Sequence, residues 1–429
     1  MRLLPRQSLG WLAMLLLVPA SAAAQSTGGV PGALYARGLA LGPDGAGLLG
    51  VEADTTDYSN GISCQELPTT AGHVALRAAN GALGPLRPLG ADVLAGPVRR
   101  ADGTFSVVLG TNVRLSGECF PVRNVEFAIL DAGGAITARV PLAAEATLKG
   151  IEISADGLDL AWVEIGPGPD IDETYTLRVS RGGAPPVTVT TATGFEPQGP
   201  GITDFEFAGR LLVWAVPKRV RAVELSAEGV PGPVIEVGTS RAVTDVTAAQ
   251  SPAGRAVIAW ATQDGGEERE HPLNVSAAIR PRAGAAFARA RTLSRGHAVD
   301  TPASGILSAI APDGRALLAW GDVLNTEVER RRYPLYAAMT GRSGGFAKPR
   351  RVAHFGGLET AAFTSRGTPV IGFYYASRVR LIRGSGAPRA FKRGYTLDLA
   401  PGPGGRLLAI WATYANRRGR VHVSPLPGG

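Results

Sequence analysis

Cysteine is nearly missing from this chain, with two in 429 residues, Cys64 and Cys119. Neither follows directly on the apolar segment near the start, so no lipoprotein anchor is expected there. Histidine is scarce as well: His73, His271, His297, His354 and His422 are scattered and show no metal-ligand spacing. No stretch after residue 24 is apolar for long enough to span a bilayer as a helix. Nor does any stretch keep apolar residues at i, i+3, i+4 and i+7 over three turns, while 57 glycines and 32 prolines interrupt the chain. A helical fold is therefore a poor reading. Only four of the 44 basic residues are lysines. With the Ala, Gly and Pro bias, this composition suits a GC-rich bacterial gene.

What is present is a hairpin written eight times. Clear copies are Ser251 to Trp260 (SPAGRAVIAW) and Ala311 to Trp320 (APDGRALLAW). The turn glycines are Gly45, Gly103, Gly157, Gly209, Gly254, Gly314, Gly367 and Gly405. Five or six residues later stand Val51, Leu109, Trp162, Trp214, Trp260, Trp320, Phe373 and Trp411, at spacings between 38 and 60 residues. Repeats of about 40–50 residues with strand content fit propeller blades. Asp precedes glycine at Gly45, Gly103, Gly157 and Gly314, and Asp-Gly is a strong hairpin signal. The run after each turn is almost wholly apolar, which suits a strand covered on both faces. Four short strands are legible per unit; in the fifth they are VTDVTAAQ, RAVIAWAT, LNVSAAIR and AFARARTL. The expected fold is an all-β propeller of four-stranded blades, with eight blades expected and seven as the alternative. The last unit is short, and N-terminal residues around Gly32 to Ala36 are expected to close it.

The PDGR turn (Pro312 to Arg315) and the ALLAW that follows resemble those of secreted bacterial β-propellers with TolB-like or WD-type repeats. The Trp-Asp pair of true WD repeats is missing. So are the sialidase Asp-box and the calcium loop DxDxDG. The resemblance implies the propeller fold and no activity. Two short matches are set aside. Gly45 to Gly50 fits GxGxxG, but it is a hairpin turn entering a strand and opens no helix. Gly341 to Gly345 fits GxSxG without the strand-to-helix elbow that a nucleophile needs.

Residues 1–24 read as a secretory leader: Arg2 and Arg6, the apolar run WLAMLLLV, then SAAAQ with cleavage expected after Ala24. Residues 25–429 form one propeller domain on this reading, exported (secreted or periplasmic) and monomeric. Cys64 and Cys119 lie in near-equivalent loops of the first two units, so a disulfide is expected between them. It closes a loop of roughly 55 residues and contributes ~4 kcal/mol in the chain-entropy model.

Charge is uneven along the chain. Residues 1–250 hold 18 basic and 25 acidic residues, whereas residues 251–429 hold 26 and 11. Residues 341–429 hold 15 basic residues and two acids. A basic arc attracts polyanions. Candidate anion- or polymer-binding residues are Arg330, Arg331, Arg332 and Tyr333, and Arg378, Arg380 and Arg383. Asp170, Asp172 and Glu173 are a weak candidate for calcium, which takes carboxylate and carbonyl oxygens; no other cofactor is expected. The loops joining second to third strands are long in several units and share one face, the expected functional surface. The expected function is a non-catalytic binding or scaffold propeller engaging a polyanionic envelope polymer, polysaccharide or protein, with nucleic acid not expected as a physiological partner. The alternative is a propeller enzyme, a glycoside hydrolase or lyase, in which carboxylates converge in the central channel. Asp204, Glu206 and Asp245 are among the few acids near the inner strands.

Overall fold

Eight glycines set the frame. In a computed structural model of the chain, all eight turn glycines have φ between +66° and +87°, a region open to glycine at little cost. The structure describes residues 28–31, 35–54, 70–115, 121–168, 172–194, 201–240, 243–263, 271–299, 305–321, 334–341, 344–415 and 418–426. In the sixth unit Gly314 N donates to Ala311 O at 2.9 Å and Ala311 N to Arg315 O at 2.8 Å. Asp313 Oδ1 accepts the Arg315 amide at 3.1 Å. Asp-Gly thus does not occupy the centre of a two-residue hairpin. It ends a three-residue loop in which glycine alone is left-handed, and the aspartate side chain caps the turn.

The first sheet comprises β2 (Tyr35–Leu41), β3 (Gly47–Asp54), β4 (Thr70–Arg77) and β5 (Leu83–Pro88). A seven-stranded sheet follows: β6 (Asp92–Arg99), β7 (Phe105–Leu115), β8 (Pro121–Leu130), β9 (Ile136–Ile153), β10 (Asp159–Pro167), β11 (Glu173–Arg181) and β12 (Val187–Gly194). Its 18-residue β9 pairs with β8 through its first part and with β10 from Thr147 onward.

Three four-stranded sheets come next. One holds β13 (Asp204–Ala208), β14 (Leu211–Val216), β15 (Arg219–Glu224) and β16 (Ile235–Thr239). Another holds β17 (Val243–Gln250), β18 (Ala256–Gln263), β19 (His271–Arg280) and β20 (Arg291–Val299). The third holds β21 (Ile306–Ile310), β22 (Ala316–Gly321), β23 (Leu335–Met339) and β24 (Arg350–Ala353). Then come β25 (Gly357–Phe363), β26 (Pro369–Tyr375), β27 (Arg378–Arg383) and β28 (Arg389–Arg393). The last sheet has β29 (Tyr395–Pro401), β30 (Leu407–Ala415), β31 (Arg418–Pro425) and, from the N-terminal side, β1 (Gly28–Pro31). Strand β1 pairs with β31 from Gly28 against Val423 to Pro31 against Arg420. An N-terminal strand does complete the last sheet, but it precedes the expected residues: Tyr35 and Ala36 already belong to β2.

Side-chain alternation turns these sheets into a ring. In β14, Leu212 and Trp214 join a core with β10 and β11, while Leu211, Val213 and Ala215 join one with β17 and β18. In β22, Leu318 and Trp320 pack toward β18, and Leu317 and Ala319 toward β26. A strand of period two that buries both faces must lie between two neighbours. At the end of the chain Leu408 and Ile410 of β30 pack on Leu49 and Val51 of β3, so last sheet meets first. The chain is a β-propeller. The eight large residues after the turns, from Val51 to Trp411, are all 3% exposed or less; truncating one of the tryptophans to alanine costs about 3–5 kcal/mol. No helix among the described residues is long and apolar enough to cross a membrane.

Candidate functional site

Two groupings of polar side chains stand out. The first lies on the innermost strands. Five carboxylates there reach sideways to a backbone amide of the next innermost strand. Phe207 N donates to Glu152 Oε2 at 2.7 Å, Val246 N to Asp204 Oδ2 at 2.9 Å, and Ala248 N to Glu206 Oε2 at 2.7 Å. Ile306 N donates to Asp245 Oδ2 at 3.0 Å and Leu397 N to Glu359 Oε2 at 3.3 Å. These bonds tie sheet to sheet where no ladder crosses. Desolvation by the surrounding strands pushes Glu152 up to about 7. Desolvation first, then the charge of Glu152, pushes Glu206 up to about 8. Asp245 is pushed up by desolvation, then by its hydrogen bond to Asp204 and the charge of that residue. Asp204, Glu206 and Asp245 thus lie close enough to interact, and Glu152 joins them. Among the described residues no three carboxylate, His or Cys groups are arranged to hold a metal ion.

The second grouping sits at one end of the β25–β28 sheet. Strands β26 and β27 turn tightly through Ala376 and Ser377, with Tyr375 opposite Arg378. Both turn residues are left-handed, at φ +51° and +58°. Side chains with a Cβ pay for that conformation with strain. The turn holds out a cluster of rings. Tyr375 is 39% exposed and stacks on Phe355 at 5.5 Å. Arg380 lies over the same Tyr375 ring, 5.5 Å from its centre. Tyr374 meets Tyr395, itself 43% exposed, at 5.5 Å. Arg378 is exposed and lies opposite Arg393 in the ladder.

Around the edge toward the last sheet, Lys392 sits 5.9 Å from the Phe391 ring. Phe391 meets Trp411 edge-on at 5.4 Å, and Trp411 stacks on His422 at 5.0 Å. Desolvation, then the charges of Arg420 and Lys392, lowers the pKa of His422. The basic surface therefore continues from the β25–β28 sheet onto the last one. The two acids of residues 341–429, Glu359 and Asp398, both lie on innermost strands β25 and β29. Desolvation raises both of their pKa values.

Of the sequence candidates, Arg378 and Arg380 belong to this surface. Arg383 does not. Alternation along β27 turns it to the opposite face, where desolvation lowers its pKa. Glu173 accepts a hydrogen bond from the Tyr175 hydroxyl. Cys64, Cys119, Arg330, Arg331, Arg332, Tyr333 and Asp170 lie outside the described residues. So do most second-to-third strand connections, at 55–69, 116–120, 169–171, 264–270 and 322–333. The turn at Ala376 is the equivalent connection of its own sheet.

No family model matches the chain, and no curated protein matches it. Among solved structures it is similar to Kluyveromyces lactis Hsv2, at 12% identity over 84% of this chain and 98% of that one, with a TM-score of 0.40. It is similar to Penicillium chrysogenum alpha-L-arabinanase complexed with arabinobiose, at 12% identity over 62% and 89%, TM-score 0.35. YCF48 bound to D1 peptide is similar at 9% identity over 71% and 88%, TM-score 0.34. Each is a likeness of fold and says nothing about activity.

Proposed function

We propose that this chain is an exported, non-catalytic binding propeller that holds an acidic polysaccharide on the ring cluster at the β26–β27 turn. We propose eight blades for it, with β9 serving as the outer strand of one blade and the inner strand of the next. The observation that carries the functional reading is Tyr375, exposed, stacked on Phe355 and covered by Arg380. Aromatic faces fit sugar rings, and the guanidinium fork fits a carboxylate. Residues 341–429 hold 15 basic residues and two acids, and both acids lie on innermost strands, β25 and β29. The test is elution from immobilised polygalacturonate in a salt gradient, with neutral dextran and single-stranded DNA as controls. Retention on polygalacturonate that Tyr375→Ala and Arg380→Ala both weaken supports the reading. Equal retention on DNA, or none on polygalacturonate, contradicts it.

A second reading, a glycoside hydrolase or lyase, has one observation in its favour. Glu152, Asp204, Glu206 and Asp245 converge on adjacent innermost strands, and a carboxyl raised to about 7 suits a general acid. Against it, each of these groups already accepts a backbone amide of the next strand. Release of reducing ends from polygalacturonate, abolished by Glu152→Gln, would favour this reading.

A further inference from the structure

A cavity of about 660 Å³ opens between the β21–β24 and β25–β28 sheets, within the usual volume of small-molecule sites. Its origin is a missing side chain. In the β17–β20 sheet the third turn carries Phe287, which packs into the core shared with the preceding sheet. In the β21–β24 sheet the equivalent Phe346, 7% exposed, packs into the core shared with β17–β20. The equivalence is fixed by backbone: Ala288 N donates to Ile279 O at 2.8 Å and Ala347 N to Met339 O at 3.0 Å. The corresponding turn after β27 reads Gly384-Ser-Gly-Ala-Pro388 and has no aromatic. The space that a phenylalanine fills at the two preceding interfaces is left open at this one.

The cavity has an apolar floor of Leu317, Ala337, Ile371 and Ile382. Arg315, Lys348, Arg350 and Arg366 stand at its edge, and no carboxylate lines it among the described residues. Two of the four are fixed in place. Arg315 bonds Gly367 O at 2.9 Å across the interface and Asp313 Oδ2 at 2.7 Å behind it. Arg350 bonds Gly384 O at 2.7 Å, also across the interface. Lys348 and Arg366 are exposed, and neither forms an ion pair among the described residues.

We infer that this cavity binds an amphipathic organic anion, its apolar acyl or aryl body on the floor and its carboxylate against Lys348 and Arg366. The site lies at the opposite end of the sheets from the Tyr375 cluster. It does not depend on polysaccharide binding there.

The test is isothermal titration of the full chain with octanoate, with octan-1-ol as the uncharged match and acetate as the anion without a body. The expected result is one octanoate per chain, bound at least about tenfold tighter than either control. Lys348→Ala with Arg366→Ala should weaken octanoate by about tenfold. Ser385→Phe, which returns a ring to the empty position, should abolish binding. Thr368→Trp at the mouth should do the same and serves if the first variant does not fold. Tyr375→Ala should leave octanoate binding unchanged. No octanoate binding, equal binding of octan-1-ol, or binding that survives both ring-inserting variants overturns the inference.

Discussion

The guanidinium of Arg380 lies over the ring of Tyr375, 5.5 Å from its centre, on a tyrosine that remains 39% exposed. Strand alternation places Arg383, three residues on, at the opposite face of β27. Equal charge on one strand therefore does different work. Arg380→Ala should weaken polygalacturonate binding several-fold and Arg383→Ala should change it little, when both are measured at one salt concentration. Arg380→Lys should fall between, because it keeps the charge and loses the fork and the flat stacking surface.

The Ala376–Ser377 turn holds two non-glycine residues at φ +51° and +58°. Ala376→Gly should relieve that strain and stabilise the protein by ~0.5–1 kcal/mol, after the added freedom of glycine in the unfolded chain is subtracted. Urea unfolding reads the change. A destabilised variant would mean that the methyl group makes a contact the turn needs.

The innermost carboxyls set a pH dependence with a definite sign. Glu152 and Glu206 are raised to about 7 and about 8, against about 4.3 for a free glutamate. Between those values the folded chain holds more protons than the unfolded one, so stability falls as pH rises. The contribution is present below about pH 4 and is lost as pH passes through about 7 and about 8. The thermal midpoint should drop from pH 6 to pH 9. Glu206→Gln keeps an acceptor for the Ala248 amide and should flatten that slope. An unchanged slope would remove Glu206 from the account.

Gly238 on β16 faces Trp260 of the next sheet. A Cβ added there would stand 2.5 Å from Cζ2 of a tryptophan that is 1% exposed. Gly238→Ala should therefore destabilise by about 1–3 kcal/mol. Denaturant unfolding measures it, and a neutral result would mean that the two sheets can part at this point without cost.

What the sequence showed and what it hid divide by range. The turn glycines and the large residues after them were legible because each signal is local: Gly314 needs a left-handed φ, and Trp320 ends an apolar run. The bond from Val246 N to Asp204 was not legible, since its partners lie 42 residues apart on different sheets and one of them is backbone. An acid on the first strand of a unit, as in TDFEFAG or GLETAAF, was the available signal. The Tyr375 cluster was missed for another reason. Ala-Ser carries no turn signature and yet makes a two-residue connection, as Pro217-Lys218 does between β14 and β15.

The most direct measurement is the affinity of a polygalacturonate oligomer for the wild-type chain and for Tyr375→Ala, titrated at low and at high salt. The account predicts binding at low salt that weakens with salt and falls at least about tenfold in the variant. Wild-type and variant curves that coincide would contradict it.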